Sequence, residues 1–447
     1  MTLDPSDTRS SQPPTGGASP SPPTVPAIPE GAAVEDPPPV GPRYIWLMVL
    51  AQFGVFVAFI TPIAISLAIR VEQLAPGNEE YLGYITGAGA SVVMVFGPLL
   101  GVLSDRTRTR FGRRRPFMVA GLLLGVVSLI VMAQAPTVPL LGLGWILAQL
   151  GWGQVLGNLQ FSTADRLPES QRGKVAGLIG FATQVAPVLG VAVAGGLSRN
   201  NLLLFLVPGV VGVVLVLLFV LLVHEDDSRA RTFAEPLTPR TLLGKYLFDP
   251  RRYPDYSLAW LGRFLFYFGL TLNTTFTAFF FASRLGIGVQ EVSGIIAVLA
   301  LAGVVATTVG ALGGGFLSDR LRRRRVFVSA SGALFAAGAV TMAFAADLPL
   351  LIAGSLLSSV GIGGFAAVDQ ALLLDVLPER ETDAGRFMAI IGFATSIPQA
   401  FAPLIAPLIL AIGTGPGEDK NYLLLYTVAG LCTFLGGLVA LRIRSVR

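Results

Sequence analysis

The sequence predicts an all-α membrane protein of twelve transmembrane helices in two pseudo-symmetric six-helix halves. Three observations lead there. Of 447 residues, 53% are hydrophobic and only 13% charged, where a soluble protein carries about 25% charge. The apolar residues lie in runs of roughly 20, long enough to cross a bilayer core of about 30 Å as helices, and they do not alternate over about 10 residues as barrel strands do. The chain also repeats itself. Gly97–Phe117 and Val309–Phe327 each carry an apolar run into Leu-Ser-Asp-Arg and then a burst of arginine, so that Asp105 matches Asp319 and Arg106 matches Arg320. Leu167-Pro168-Glu169 recurs as Leu377-Pro378-Glu379, and Ile179–Thr183 as Ile391–Thr395. One half echoing the other is the pattern of membrane proteins that rock two halves about a site near the midplane.

Taken in order, residues 1–43 are rich in Pro, Ser, Thr and Gly. They bury too little apolar surface to offset ordering entropy and read as a disordered cytoplasmic tail. The segment lacks the apolar core of a cleavable signal, so the first span is expected to direct insertion. Spans are expected at about 44–69, 81–104, 115–135, 140–164, 173–197 and 201–223 for the N-terminal half, residues 44–223. Those of the C-terminal half, residues 256–447 with a short tail, fall at about 256–282, 291–317, 325–346, 349–375, 385–411 and 421–442. Between them lies a cytoplasmic linker, residues 224–255, with Pro236, Pro239, Pro250 and Pro254. It reads as a passive tether with one short surface helix around Pro239 to Tyr246.

Charge supports the even count. Arg106, Arg108, Arg110, Arg113 to Arg115, Arg320 and Arg322 to Arg325 fall on one side, against Arg70, Arg199, Arg284 and Lys420 on the other. The positive-inside rule then puts both termini in the cytoplasm, in a multi-pass protein of the plasma membrane. It also explains the net charge of +5 without nucleic acid. The lone Cys432 excludes an internal disulfide. The lone His224 ends the sixth span, so proton handling within the membrane falls to carboxylates.

Polar side chains at midplane depth are costly and mark candidate sites. Gln52 in span 1, Gln149, Gln154 and Asn158 in span 4, Gln184 in span 5, Asn273 in span 7 and Gln399 in span 11 are the candidate substrate ligands. Neutral amides suit a neutral hydroxylated solute, and the alternative role for each is a hydrogen bond between helices. Trp145, Trp152, Trp260 and Tyr267 offer flat faces to a sugar ring. Two charges lie within spans. Asp369 sits six residues before Asp375, roughly 9 Å deeper, and Arg263 seven after Tyr256, roughly 10 Å in. The repeat puts Gln52 opposite Arg263, so that charge exists in one half only. An isolated acid at such depth holds its proton and a nearby arginine releases it, the competition a proton switch needs. Asp369 is therefore the expected proton-coupling group, and Arg263 its counter-charge or a substrate ligand.

The stretch Gly101–Arg106 followed by Phe111-Gly-Arg-Arg-Arg-Pro-Phe117 resembles the loop between spans 2 and 3 of the major facilitator superfamily. Within it, the loop is similar to those of the sucrose/proton symporters and the glycoside–pentoside–hexuronide:cation symporters. The resemblance implies gating by Asp105, Arg106, Arg113, Asp319 and Arg320. Asp105 would face the start of span 11 near Gly385 and Arg386, and Asp319, by the repeat, the start of span 5 near Gly173 and Lys174. The alternative role for these arginines is topology alone. The sucrose symporters also carry an aspartate in mid-span 4, where this chain reads Trp145-Ile-Leu-Ala-Gln149. Either Asp369 replaces it, or coupling differs.

The expected function is cation-coupled, proton-driven symport of a small neutral solute such as a sugar or glycoside, by alternating access, with a monomer sufficient. The alternative is a drug/proton antiporter of the same superfamily, which Ala186-Pro187-Val-Leu-Gly190 in span 5 partly matches. A sensor would need a soluble output domain. No metal cluster, Walker loop or nucleophile–base set is present in the sequence, so neither an enzyme nor a cofactor is expected.

Overall fold

The computed structural model describes residues 38–225, 227–229, 249–379, 384–415 and 420–445. Every regular element among them is a helix. Eleven helices are long and apolar enough to cross a membrane, and a pair bent by 51° makes a twelfth. Span 1 is Pro42–Leu74, span 2 Glu80–Arg106, span 3 Arg115–Gln134, span 4 Val138–Arg166, span 5 Glu169–Gly196 and span 6 Asn201–Leu222. Span 7 is the bent pair Pro254–Thr275 and Thr277–Leu285. Spans 8 to 12 are Val289–Leu321, Arg324–Ala343, Leu348–Asp375, Ala384–Leu410 and Tyr422–Ala440.

Lipid offers no partner to a backbone N–H, so each span satisfies its own ladder and only its ends need help. Proline, which has no N–H to lose, stands in the first turn of spans 1, 3, 4, 7 and 10. Asn200, Asp347 and Asn421 cap spans 6, 10 and 12 by accepting from backbone N–H groups. Two C-terminal caps repeat between halves. Arg70, late in span 1, donates to the carbonyl of Ala135 beyond span 3 at 2.5 Å, and Arg284 in span 7 to that of Ala343 in span 9 at 2.7 Å.

Two spans depart from straight helices, which the sequence reading did not foresee. Span 1 takes a π-helical turn at Pro62–Ser66, where Pro62 withdraws a donor from the ladder. Span 7 breaks at Phe276. Ahead of and across the break, Thr271, Thr274, Thr275 and Thr277 donate their hydroxyls back to the carbonyls of Tyr267, Leu270, Thr271 and Asn273. Such back-bonding bends helices.

The expected tail needs one correction. Span 1 begins at Pro42, and the backbone of Val40 is gripped by Gln171, whose Oε1 accepts at 3.0 Å and whose Nε2 donates at 3.2 Å. Residues 1–37, and the linker helix expected at Pro239 to Tyr246, lie outside the described residues. The start of the linker is no passive tether. Glu225 accepts from the backbone N–H of Arg113, Arg114 and Arg115 at 2.9–3.1 Å and so caps span 3. Ser228 bonds the backbone of Thr107 and Thr109. Gly112, at φ +88°, lies where any Cβ would strike the Glu225 carboxylate, so this loop requires glycine twice over.

The halves are zipped at the end opposite the arginine loops. Gly83 and Gly87 of span 2 pack on span 11, and a Cβ on Gly87 would stand 2.5 Å from Leu404 Cγ and 2.8 Å from the Ala400 carbonyl. Gly195 of span 5 meets Ser293 of span 8, whose Oγ would lie 2.5 Å from its Cβ. Lys420 pairs with Glu80 at 3.0 Å, and the Tyr422 hydroxyl bonds Glu79. Toward the arginine-rich end a Cβ on Gly173, Gly177, Gly180 or Gly392 would meet nothing within 4 Å. Among the described residues, the contacts named here between the halves lie at the end opposite the arginine loops.

Candidate functional site: a central cavity backed by a buried ion pair

Inward from the zipped end lies a cavity of about 600 Å³. Spans 1 and 4 give it Phe59, Ile63, Trp145 and Gln149, and span 11 gives Gln399 and Pro403. Span 7 presents Tyr267, Leu270, Thr271 and Thr274, a stripe at helical spacing that puts all four on one face. Toward the arginine-rich end the space continues into one of about 390 Å³ that shares Gln149 and Gln399 and adds Met94, Gly392 and Ser396. A side chamber of about 320 Å³ shares Thr274 and Thr277 and adds Gln184, Asn273, Ser355 and Ser359.

The walls are neutral, with aromatic faces and amide or hydroxyl groups. Trp145 stacks on Phe59 at 5.6 Å between ring centroids. Two donors, Trp145 Nε1 and Asn273 Nδ2, are buried without a hydrogen-bond partner among the described residues, and Trp145 Nε1 is turned toward Gly89 of span 2; an unpaired buried donor is costly.

Behind this wall the fold joins the two charges that the sequence left apart. Arg263 Nη1 lies 2.9 Å from Asp369 Oδ2, and Asp369 is only 3% exposed. The same guanidinium donates Nε–H to Thr395 Oγ1 at 3.3 Å and lies 5.4 Å from the Tyr267 ring centroid. Tyr267 lines the cavity, so the ion pair is one side chain from its interior. A buried pair is a poor source of stability, but removing one partner strands the other charge.

Of the expected ligands, Gln149, Gln184, Asn273 and Gln399 line these spaces. Gln52 is buried in the first half and reaches none of them. Asn158 is a fastener between helices rather than a ligand. Its Oδ1 accepts from Ser104 at 2.7 Å and its Nδ2 donates to the carbonyl of Gln154 at 2.8 Å. Gln154 turns the same way, with its Cβ 3.4 Å from where a Cβ on Gly121 of span 3 would stand. Both belong to the seam of spans 2 to 4 because a residue on that face of span 4 cannot also face the cavity.

At the arginine-rich end, Arg113 and Arg114 bond Asp165 at 2.6 and 3.4 Å, and Arg324 bonds Asp375 at 2.5 Å and Asp319 at 3.3 Å. Asp319 thus pairs within its own half in this state, and the contact with the start of span 5 near Gly173 and Lys174 is expected only where this end is closed. The side chain of Asp105 lies outside those described. Arg106 and Arg320 end spans 2 and 8 beside these pairs. Sequence reasoning missed Thr395 and Glu225. The first sits in the repeated Ile-Gly-Phe-Ala-Thr stretch, which was a signal of position but not of partner.

A solvent-open cavity between two repeated six-helix halves, with an ion pair behind its wall, defines a solute transporter. A family model, Major Facilitator Superfamily, matches residues 44–313 and 259–447. The chain belongs to the major facilitator superfamily and is a multi-pass membrane transporter of it, of a kind that binds small molecules. Over 92 residues, 21% of the chain and 15% of the relative, it is 37% identical to the general alpha-glucoside permease of Schizosaccharomyces pombe. Over 86 residues, 17% of the chain and 16% of the relative, it is 37% identical to the sucrose transport protein SUC4 of Arabidopsis thaliana. The chain thus matches less than a fifth of the length of either. A crystal structure of a D-xylose-proton symporter superposes with a TM-score of 0.64 over 90% of this chain and 98% of that one, at 16% identity, a likeness of fold.

Proposed function

We propose that the protein is a secondary active transporter that couples movement of a small neutral solute, a sugar or glycoside, to the proton by alternating access. The observation that carries this reading is the neutral, aromatic and amide-lined cavity with one buried carboxylate–arginine pair behind it. Names of two relatives, a glucoside permease and a sucrose transport protein, favour the solute class. In this reading Gln149, Gln184, Asn273 and Gln399 hydrogen-bond the solute and Trp145 stacks on its ring. Asp369 takes up and releases the proton, with Arg263 as its counter-charge.

The arginine-rich end is the cytoplasmic one, by the positive-inside rule, in the plasma membrane. The conformation described is then inward-open, with halves 44–223 and 256–447 joined by the linker 224–255. Asp105, Arg106, Arg113, Asp319 and Arg320 re-pair across the halves when that end closes. One monomer contains the whole pathway.

The test is uptake of radiolabelled sucrose and maltose into proteoliposomes with and without an inward proton gradient, for wild type and Asp369→Asn. Gradient-driven uptake that the variant loses supports the reading. Equal uptake by both removes Asp369 from coupling, and no uptake by folded wild type removes the solute class.

A further inference from the structure

Span 7 holds the arginine-rich half of span 11 by three side chains about one turn apart. Tyr256 donates its hydroxyl to the carbonyl of Phe387 at 2.7 Å, and Trp260 donates Nε1–H to that of Ile390 at 3.0 Å. Arg263 donates Nε–H to the Thr395 hydroxyl at 3.3 Å. The first two contacts grip backbone. The third shares its guanidinium with Asp369 of span 10, 2.9 Å away. A planar guanidinium fixes the angle between its donors, so the prong on span 10 and the prong on span 11 move together. Ser396 and Gln399, next along span 11, line the cavity.

The first half shows what is added here. It keeps the threonine, as Thr183, but among the described residues the Thr183 hydroxyl bonds the carbonyl of Gly180 in its own helix, at 3.1 Å. Gln52 stands where Arg263 does, and Leu159, six residues before Asp165 as Asp369 is six before Asp375, stands where the acid does. Only the second half turns this threonine into an arginine ligand.

We propose that Thr395 is a positioning residue that passes the charge state of Asp369 to the cavity wall on span 11. This rests on the reading of Asp369 as the proton-accepting group. The groups facing Asp369 are Arg263 and Tyr267, both of span 7. A proton from cavity water adds to the carboxylate and makes it a neutral acid. The guanidinium keeps its charge, loses its ion pair, and shares its donors between the Thr395 oxygen on span 11 and the Tyr267 oxygen on its own span. That pulls the Thr395–Gln399 turn toward span 7 and alters the amide that meets the solute. When the proton leaves, the ion pair reforms and the pull ends.

The experiment compares wild type, Thr395→Val, Thr395→Ser and Asp369→Asn in proteoliposomes with radiolabelled sucrose and maltose. It measures gradient-driven uptake across external pH, and solute counterflow without a gradient. Thr395→Val is expected to lose about tenfold in gradient-driven uptake and flatten its pH profile, as befits one hydrogen bond to a charged group. Counterflow is expected to fall by less than about twofold, and Thr395→Ser to restore driven uptake. If Asp369→Asn abolishes driven uptake while Thr395→Val behaves as wild type, the inference fails and the symport reading stands. Driven uptake and counterflow falling in parallel in Thr395→Val also overturns it, since that marks a merely structural threonine. If wild type itself ignores the gradient, both fail.

Discussion

Replacing Gly87 by valine should turn the transporter over. In the state described, a Cβ at this position would stand 2.5 Å from Leu404 Cγ, 2.7 Å from Leu404 Cδ2 and 2.8 Å from the Ala400 carbonyl. Leu404 has room to give little and the carbonyl none, because span 11 is pinned there by its own ladder. Overpacking of this kind costs about 1–3 kcal/mol. The cost falls only on the state in which spans 2 and 11 touch at this end, so it becomes a shift between states. At 1.4 kcal/mol per tenfold, the population open at the opposite end rises roughly 5- to 100-fold. The assay is labelling of an Ala90→Cys reporter, which lines the cavity, by a membrane-impermeant maleimide in a Cys432→Ser background. Labelling from the end with Lys420 should rise by about tenfold, and labelling from the arginine-rich end should fall. Gly177→Val, whose Cβ meets nothing within 4 Å, should leave both rates unchanged. Equal labelling of the Gly87→Val and parent proteins, with both folded, would refute the idea that this seam holds the closed end.

Other variants address the remaining contacts. Lys420→Gln breaks the pair with Glu80, partly exposed at both partners, and should shift the same labelling ratio by only about twofold to fivefold, as surface pairs contribute at most about 1 kcal/mol. Glu225→Ala leaves three backbone N–H groups at the start of span 3 without their acceptor. It should cost about 2–3 kcal/mol, read as a lower midpoint of thermal unfolding in detergent, and Glu225→Gln should recover part of it. Arg263→Ala strands the Asp369 carboxylate and should cost about 3–5 kcal/mol. Adding Asp369→Asn should return most of that stability without returning proton-driven uptake, a result that separates folding from coupling.

The span count was legible because lipid leaves the backbone one solution, and runs of about 20 apolar residues announce it. The midplane amides were legible as costly residues, but not by direction. Gln149 and Asn158 are both neutral amides of span 4, and nine positions separate a cavity-lining side chain from a fastener on another face. Asp369 and Arg263 were legible singly. Their meeting was not, since 106 residues separate them and only the packing of spans 7 and 10 decides it. The break in span 7 was hidden because its threonines are apolar enough to pass as span residues, and what bends the helix is where their hydroxyls turn. The repeat gave Asp319 a partner across the halves only for a closed cytoplasmic end, since a repeat carries no information about which end is open.

Those threonines carry a further consequence. Thr271, Thr274, Thr275 and Thr277 have each spent their single hydrogen on a carbonyl of their own helix. What they offer the cavity is therefore lone pairs only. Facing them, Gln149 and Gln399 offer both hydrogens and lone pairs. The chamber thus has a polarity without any charge: along span 7 the threonines only receive hydrogens and Tyr267 alone can give one, while the facing amides can supply them. A guest lying against the threonine wall has to bring its own, so masking its hydroxyls as methyl ethers would silence that wall while leaving its size and its stacking face almost intact.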